Sequence, residues 1–313
     1  MGIRDFVSVL REISFDDLET EARMPPRILV ISTRPELAVE TAKSVFGPNN
    51  EEFVHVRSYA DRDIDPLHYD VILTVGPLDS GVARQWRELF RRVKEPLRMV
   101  EHLPHVDAQK DIEALRRRIA DCADDRAMAI GRYIPSMKSA CARQLISETS
   151  TVNAEFALVS NIPSVVPVIG TAFSVGADFI VLTKNQLMLI FKLAAVNGRD
   201  LDNRWRIYAE MTPVVGAGLA WRTVAREVVT LLPLAIGTVP KVAIAFAGTW
   251  VIGESAQVYF ERGERLNRAQ VRELYAQALE TLRKNPIKPG RLRSLRPGRR
   301  SGGDEPDEAT ATG

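Results

Sequence analysis

Two stretches without charge constrain this chain more than anything else in it. The first opens at Phe156 and closes at Ala177, 22 residues without an Asp, Glu, Lys or Arg, and the second runs from Val228 to Gly253, interrupted only by Lys241. A helix needs about 20 apolar residues to cross the hydrocarbon core of a bilayer, so both are long enough to insert. Their interiors argue against a simple crossing. Asn161, Pro163, Pro167 and Gly170 interrupt the first, and Asp178, Lys184 and Lys192 follow it in the helix that continues to Val196. In the second, Lys241 stands near the middle, where a charge costs roughly 2.5–3.5 kcal/mol on insertion scales. Pro233, Gly237 and Pro240 bend that segment into two helices. A two-span hairpin with cytoplasmic ends would also leave Arg199, Arg204 and Arg206 outside, against the usual bias of basic loops. The expectation is an apolar helical-hairpin domain that associates with a membrane; the alternative is the core of a soluble helical bundle.

Ahead of these stretches the pattern changes. Residues 27–32, 53–57, 70–75 and 97–101 are short runs rich in strand formers. Between them Leu37, Thr41, Val45 and Phe46, then Val82, Trp86, Leu89, Phe90 and Val93, recur at helical spacing. Such alternation builds a small, mostly parallel sheet. Residues 3–13 predict a lead-in helix, and the acidic 15–23 a connector that Pro25 and Pro26 end. Beyond 106 the strand signals stop, and helical spacing over 107–130, 134–151, 168–196 and 271–282 makes the remainder all α. The fold class is therefore α/β plus all-α. The predicted organisation is a lead-in helix and connector (1–26), a Rossmann-like α/β domain (27–105), a helical domain (106–284) with apolar blocks at 156–197 and 211–260, and a disordered tail (285–313). The tail is rich in Pro and Gly, with Lys288, Arg291, Arg293, Arg296, Arg299 and Arg300 followed by Asp304, Glu305, Asp307 and Glu308.

The first strand and helix occupy the position of a P-loop, whose glycines, lysine and hydroxyl neutralise phosphates at a helix start. In that frame Ser32, Leu37, Ala38 and Val39 stand where two glycines, the lysine and the hydroxyl belong. Pro35 removes a donor and Glu36 adds a negative charge. A GxGxxG fingerprint is absent too. No catalytic motif is legible, and no cofactor is expected. Thr33 and Arg34 after the first strand, and Gly76, Asp79 and Ser80 after the third, are the candidates for lining a crevice at the strand ends. They support an alternative reading, a soluble nucleotide or small-molecule binding protein. Among the 4 histidines, His102 and His105 are separated by Pro104 and read as loop residues, so no metal is expected. Cys122 and Cys141 are too far apart for a CxxC motif. A net charge of +2 gives no field that calls for nucleic acid. In the apolar domain Asp178, Asn185 and Gln186 fall near one helical stripe and form a polar seam, read first as interhelical hydrogen bonding that fixes register.

The Pro-rich segment 162–170, Asp178 followed by Leu-Thr-Lys-Asn-Gln at 182–186, Ala194 to Gly198, and Arg222, Arg226 and Glu227 before a Pro/Gly bend form an ordered set ending at Gly253, Glu254 and Tyr259. Over about 134–263 this set resembles the YcjF-like domain of unknown function associated with bacterial GTPases. The resemblance implies a membrane-associated helical domain, a GTPase as protein partner, and a degenerate, GTPase-like origin for 27–105. It supplies no catalytic residues. The resulting expectation is a non-enzymatic scaffold or regulatory protein at the cytoplasmic face of the cell membrane, with the basic tail on anionic lipid; the alternative is a soluble cytoplasmic protein.

Overall fold

β1 (Ile28–Ser32) and β3 (Val71–Val75) are buried at every position, as central strands covered on both faces must be. β2 (Val54–Ser58) and β4 (Met99–His102) flank them, and their half-exposed patterns mark the edges. The computed structural model describes residues 16–61, 63–76, 81, 86, 98–102, 108–159, 175–203, 206–207, 209–211 and 240–287. Its sheet has the order β2-β1-β3-β4, parallel throughout, with Ile28 opposite Val54 on one side and Val71 on the other.

Side chains alternate between the two faces of a strand. Ile28, Val30, Val71, Leu73, Val75 and Val100 join the main core on one face, while Leu29, Ile31 and Ile72 meet Trp86, Tyr59, Ile64, Tyr69 and Met99 on the other. α2 (Pro35–Phe46) covers the first face through Ala38, Ala42, Val45 and Phe46. It starts on Pro35, whose missing N–H is harmless in a first turn, and ends at Gly47 with φ +84°. Arg116 of α3 (Ala108–Ala123) then satisfies two of its last carbonyls, donating from Nε to Val45 at 2.7 Å and from Nη2 to Ser44 at 3.0 Å.

Two elements differ from the sequence pattern. The acidic connector is a helix, α1 (Asp16–Arg23), because Leu18 and Ala22, one turn apart, are buried in the main core. Helix 107–130 is two helices: α3 stops at Ala123, Asp124 takes φ +54° within a 3-10 turn, and α4 (Ala127–Tyr133) follows. Asp tolerates that left-handed conformation better than most residues, and the turn aims Arg126 back at the sheet. Arg126 donates from Nε to Asp70 Oδ1 at 3.0 Å and from Nη2 to the carbonyls of Met24 and Pro25 at 3.2 and 3.3 Å.

α5 (Lys138–Val159), α6 (Val175–Val196), α7 (Pro240–Arg262) and α8 (Arg268–Lys284) complete the described helices. α8 begins with a capping box: Asn267 Oδ1 accepts from Gln270 N at 3.0 Å, and Gln270 Oε1 accepts from Asn267 N at 2.9 Å. One buried cluster runs without a break from the inner face of the sheet through α3, α4, α5 and α6 to Ala256 and Phe260 of α7. Lead-in residues 3–13, the helix expected at 82–93 apart from Trp86, segments 160–174 and 212–239, and the tail from 288 lie outside the described residues.

Candidate functional site

β1 sends its chain to β2 on one side and β3 sends its chain to β4 on the other, so the connections diverge between β1 and β3. In open α/β sheets ligands bind at such a divergence, outside the carboxyl ends of the strands. Thr33 and Arg34 stand there after β1, and Gly76 after β3; Asp79 and Ser80 lie outside the described residues. The floor is closed by backbone bonds. Ser32 Oγ donates to Val75 O at 2.8 Å and accepts from Arg34 N at 3.1 Å, and Gly76 N donates to His102 O at 2.9 Å. Gly76 has φ +85°, and a Cβ on it would sit 3.4 Å from Leu37 Cδ2. α2 opens with Pro35 and Glu36 and no side-chain cap. A phosphate here would find one amide missing and a carboxylate in the first turn, so the position is built against that ligand. Beside it Tyr59 packs edge-to-face on Trp86, ring centres 5.1 Å apart, and burial pushes its hydroxyl up to about 12, opposed by Thr74. That phenol stays protonated at neutral pH.

The second concentration of buried polar atoms lies where α5, α6 and α7 meet. Asn153 and Thr249 are both fully buried. Asn153 Nδ2 donates to Thr249 Oγ1 at 2.8 Å, and Asn185 Nδ2 donates to Asn153 Oδ1 at 2.7 Å. Gln186 Nε2 donates to Thr249 Oγ1 at 3.2 Å, and Thr249 passes its own proton to Ala245 O at 2.9 Å. Consecutive residues on a helix point about 100° apart, which lets Asn185 reach α5 while Gln186 reaches α7. Asp178 belongs to α6 by its backbone, and its side chain lies outside the described residues. Thr249 is a lone polar residue in an apolar and small run, and Asn153 is one of several polar residues between Ser147 and Glu155, so neither carries a distinctive sequence signal.

These bonds fix the helix directions. Asn153 meets Thr249, and Ile146, about two turns nearer the start of α5, meets Gly253, so α5 and α7 are antiparallel. Gln186 pairs with Thr249 and Asn197 Nδ2 with Gln257 Oε1 at 2.8 Å, so α6 and α7 are parallel. The end of α5 at Val159, the start of α6 at Val175 and the start of α7 at Pro240 therefore gather at one pole of the bundle. Phe156 is in the last turn of α5, half-buried, Ala177 is in the first turn of α6, and Val228 lies outside the described residues. Gly253 sits inside α7 at its closest approach to the neighbouring helices. Among the described residues no helix is long and apolar enough to cross a membrane, and no group of His, Cys, Asp or Glu is arranged to hold a metal.

One residue after Gly253, the Glu254 carboxyl is raised above its ordinary range by burial, which the Arg143 guanidinium on α5 only partly offsets. A carboxyl raised on folding costs stability while ionised, and that cost is relieved as pH falls through its folded-state value toward the unfolded one. Glu254→Gln is therefore expected to be more stable than the parent at pH 7. The gap should close by about pH 4, near the ordinary Glu value, and denaturation midpoints across that interval would test the sign.

Compared with known proteins, the chain matches no family model, and no curated protein or solved structure shows significant similarity to it.

Proposed function

We propose that this protein is a non-enzymatic scaffold or regulator that docks on the cytoplasmic face of a membrane through the α5/α6/α7 pole and offers its α/β part to a protein partner. One observation carries the reading. Three helices held in register by a buried polar network direct the chain ends of two uncharged stretches, 160–174 and the latter part of 212–239, to one pole. The first joins α5 to α6 there with Ile162, Val165, Val166, Val168, Ile169 and Phe173 and no charge. Pro163, Pro167 and Gly170 inside the first stretch suit insertion at the bilayer surface rather than a straight crossing. The closed floor above β1 and β3 supports a role without nucleotide turnover. The YcjF-like pattern at 134–263 makes a GTPase the partner to try first.

Flotation of the full chain with phospholipid vesicles tests the reading. The protein is expected to rise with vesicles, and Ile169→Asp combined with Phe173→Asp to reduce the bound fraction at least tenfold, since a charge at bilayer depth costs roughly 2.5–3.5 kcal/mol. The same preparation should show no thermal shift with nucleoside triphosphates. Protein left wholly in the vesicle-free fraction would sink the proposal.

A further inference from the structure

α7 and α8 form a hairpin whose bend is set by two residues. Arg262 ends α7 and Arg268 opens α8. Just past α7, Gly263 takes φ +72° and donates its N–H to Tyr259 O at 2.8 Å, a left-handed stop that favours glycine. A Cβ on Gly263 would meet nothing within 4 Å, so glycine stands there for its dihedral and not for space. Asn267 then caps α8, its Oδ1 accepting from Ala269 N at 2.9 Å and from Gln270 N at 3.0 Å. The three residues between them, Glu264, Arg265 and Leu266, are strong helix formers. No proline stands between Pro240 and Pro286. Without the glycine and the cap, one helix would run from Pro240 to Lys284, about 68 Å long at 1.5 Å per residue.

α8 is docked as a separable unit. Tyr275, Ala278 and Leu282, spaced i, i+3 and i+7, form its buried side and share a cluster with Val242 and Phe246 of α7 and Ala154 of α5. No residue of α8 belongs to the buried core that runs from the sheet to Phe260. Several of its polar bonds are internal and travel with it: Gln277 to Glu273 at 3.2 Å, Thr281 Oγ1 to Gln277 O at 2.9 Å, and Arg283 and Lys284 to Glu280 at 2.9 and 3.6 Å. The groove under α8 is therefore one that takes an amphipathic helix by anchors one and two turns apart.

We propose that two copies of this chain associate by exchanging α8. The hairpin straightens between Gly263 and Asn267 into a single α7–α8 helix, and each copy's α8 fills the groove of the other. Straightening carries Tyr275 and Leu282 off their own α7, and the surface that matches them is offered by the second copy. Because each copy gives and receives the same helix, the assembly closes as a two-fold dimer and grows no further. The short connection favours the closed hairpin by holding α8 at its own groove at an effective concentration of about 1 mM. Helix propensity at 264–266 and release of the left-handed residue favour the open form. The exchange needs no membrane and stands apart from the docking reading.

Sedimentation of the full chain over a concentration series tests the exchange. Wild type is expected to be monomeric at micromolar concentration and to become dimeric as the concentration approaches about 1 mM. Gly263→Ala combined with Asn267→Ala removes both stops and should dimerise at a concentration roughly a hundredfold lower, with no loss of helical circular dichroism. Leu282→Asp puts a charge on the side that both forms bury. Added to the paired substitution, it should restore the monomer while the main core keeps its urea transition. A paired variant that stays folded and monomeric overturns the proposal. So does a dimer that survives Leu282→Asp, which would then be built on another surface. Should the paired substitution prevent folding, the wild-type series decides: a monomer throughout the millimolar range overturns the exchange, and a dimer lost on Leu282→Asp supports it.

Discussion

Gly253→Val is expected to lower the unfolding free energy by about 3 kcal/mol or more, at the upper end of what overpacking a well-filled core costs. A bare Cβ at this position would lie 2.7 Å from Ile146 Cγ1, 3.0 Å from Leu189 Cδ2 and 3.1 Å from Ile146 Cγ2. The first and last belong to a β-branched side chain with little rotamer freedom in a helix, and both partners are buried. Alanine would meet the same contacts but recover about 1 kcal/mol of helix propensity over glycine, so Gly253→Ala should fall well short of the valine variant. Adding Ile146→Ala to Gly253→Ala should recover part of the loss, giving a favourable coupling in a double-mutant cycle. Urea denaturation followed by circular dichroism reads all of these; a valine variant within about 0.5 kcal/mol of the parent would mean that α5, α6 and α7 do not approach this closely.

Asn153→Ala should cost about 1–3 kcal/mol. Asn153 accepts from Asn185 and donates to Thr249, both over less than 3 Å; its removal takes the acceptor from half-buried Asn185 and one of two donors from buried Thr249, which keeps Gln186. The alternative of an apolar seam at these positions would be no less stable in itself; the amides restrict which register the helices can adopt. Asn153→Ala and Asn185→Ala should therefore combine to less than the sum of their separate costs. Strict additivity would show that the bond contributes nothing.

The sheet was legible because each central strand is a five-residue run with four apolar residues and one hydroxyl, Ser32 or Thr74, close to the continuous pattern that both-face burial favours, and because glycine and proline punctuate the segments between them. α1 was hidden. Its eight residues are mostly charged, and only the packing of Leu18 and Ala22 against α4 makes them helical. The break at Asp124 was masked by apolar periodicity, since Ile119, Cys122 and Ala123 lead almost in phase into Ala127 and Ile130. Asn185 and Gln186 stood out as amides inside an apolar helix, but Asn153 and Thr249 acquire meaning only once α5 and α7 are side by side. In the crevice, residue types identified the loops. That Ser32 spends its hydroxyl on Val75 O is a tertiary fact that no spacing rule anticipates.

Arg126 binds carbonyls that precede it in the chain by 102 and 101 residues, and the inner face of the sheet is roofed by Leu115, Ile119, Met128 and Ile130. During synthesis the strands therefore leave the ribosome with that face covered only by α2. They must wait for α3 and α4, and for α5 and α6 behind them, before that face is sealed. Long waits of this kind slow folding and expose strand edges to other chains. A nascent chain that stalls near residue 105 would be a substrate for chaperones, and the helices that meet at the α5/α6/α7 pole would also serve the sheet as its last folding partners.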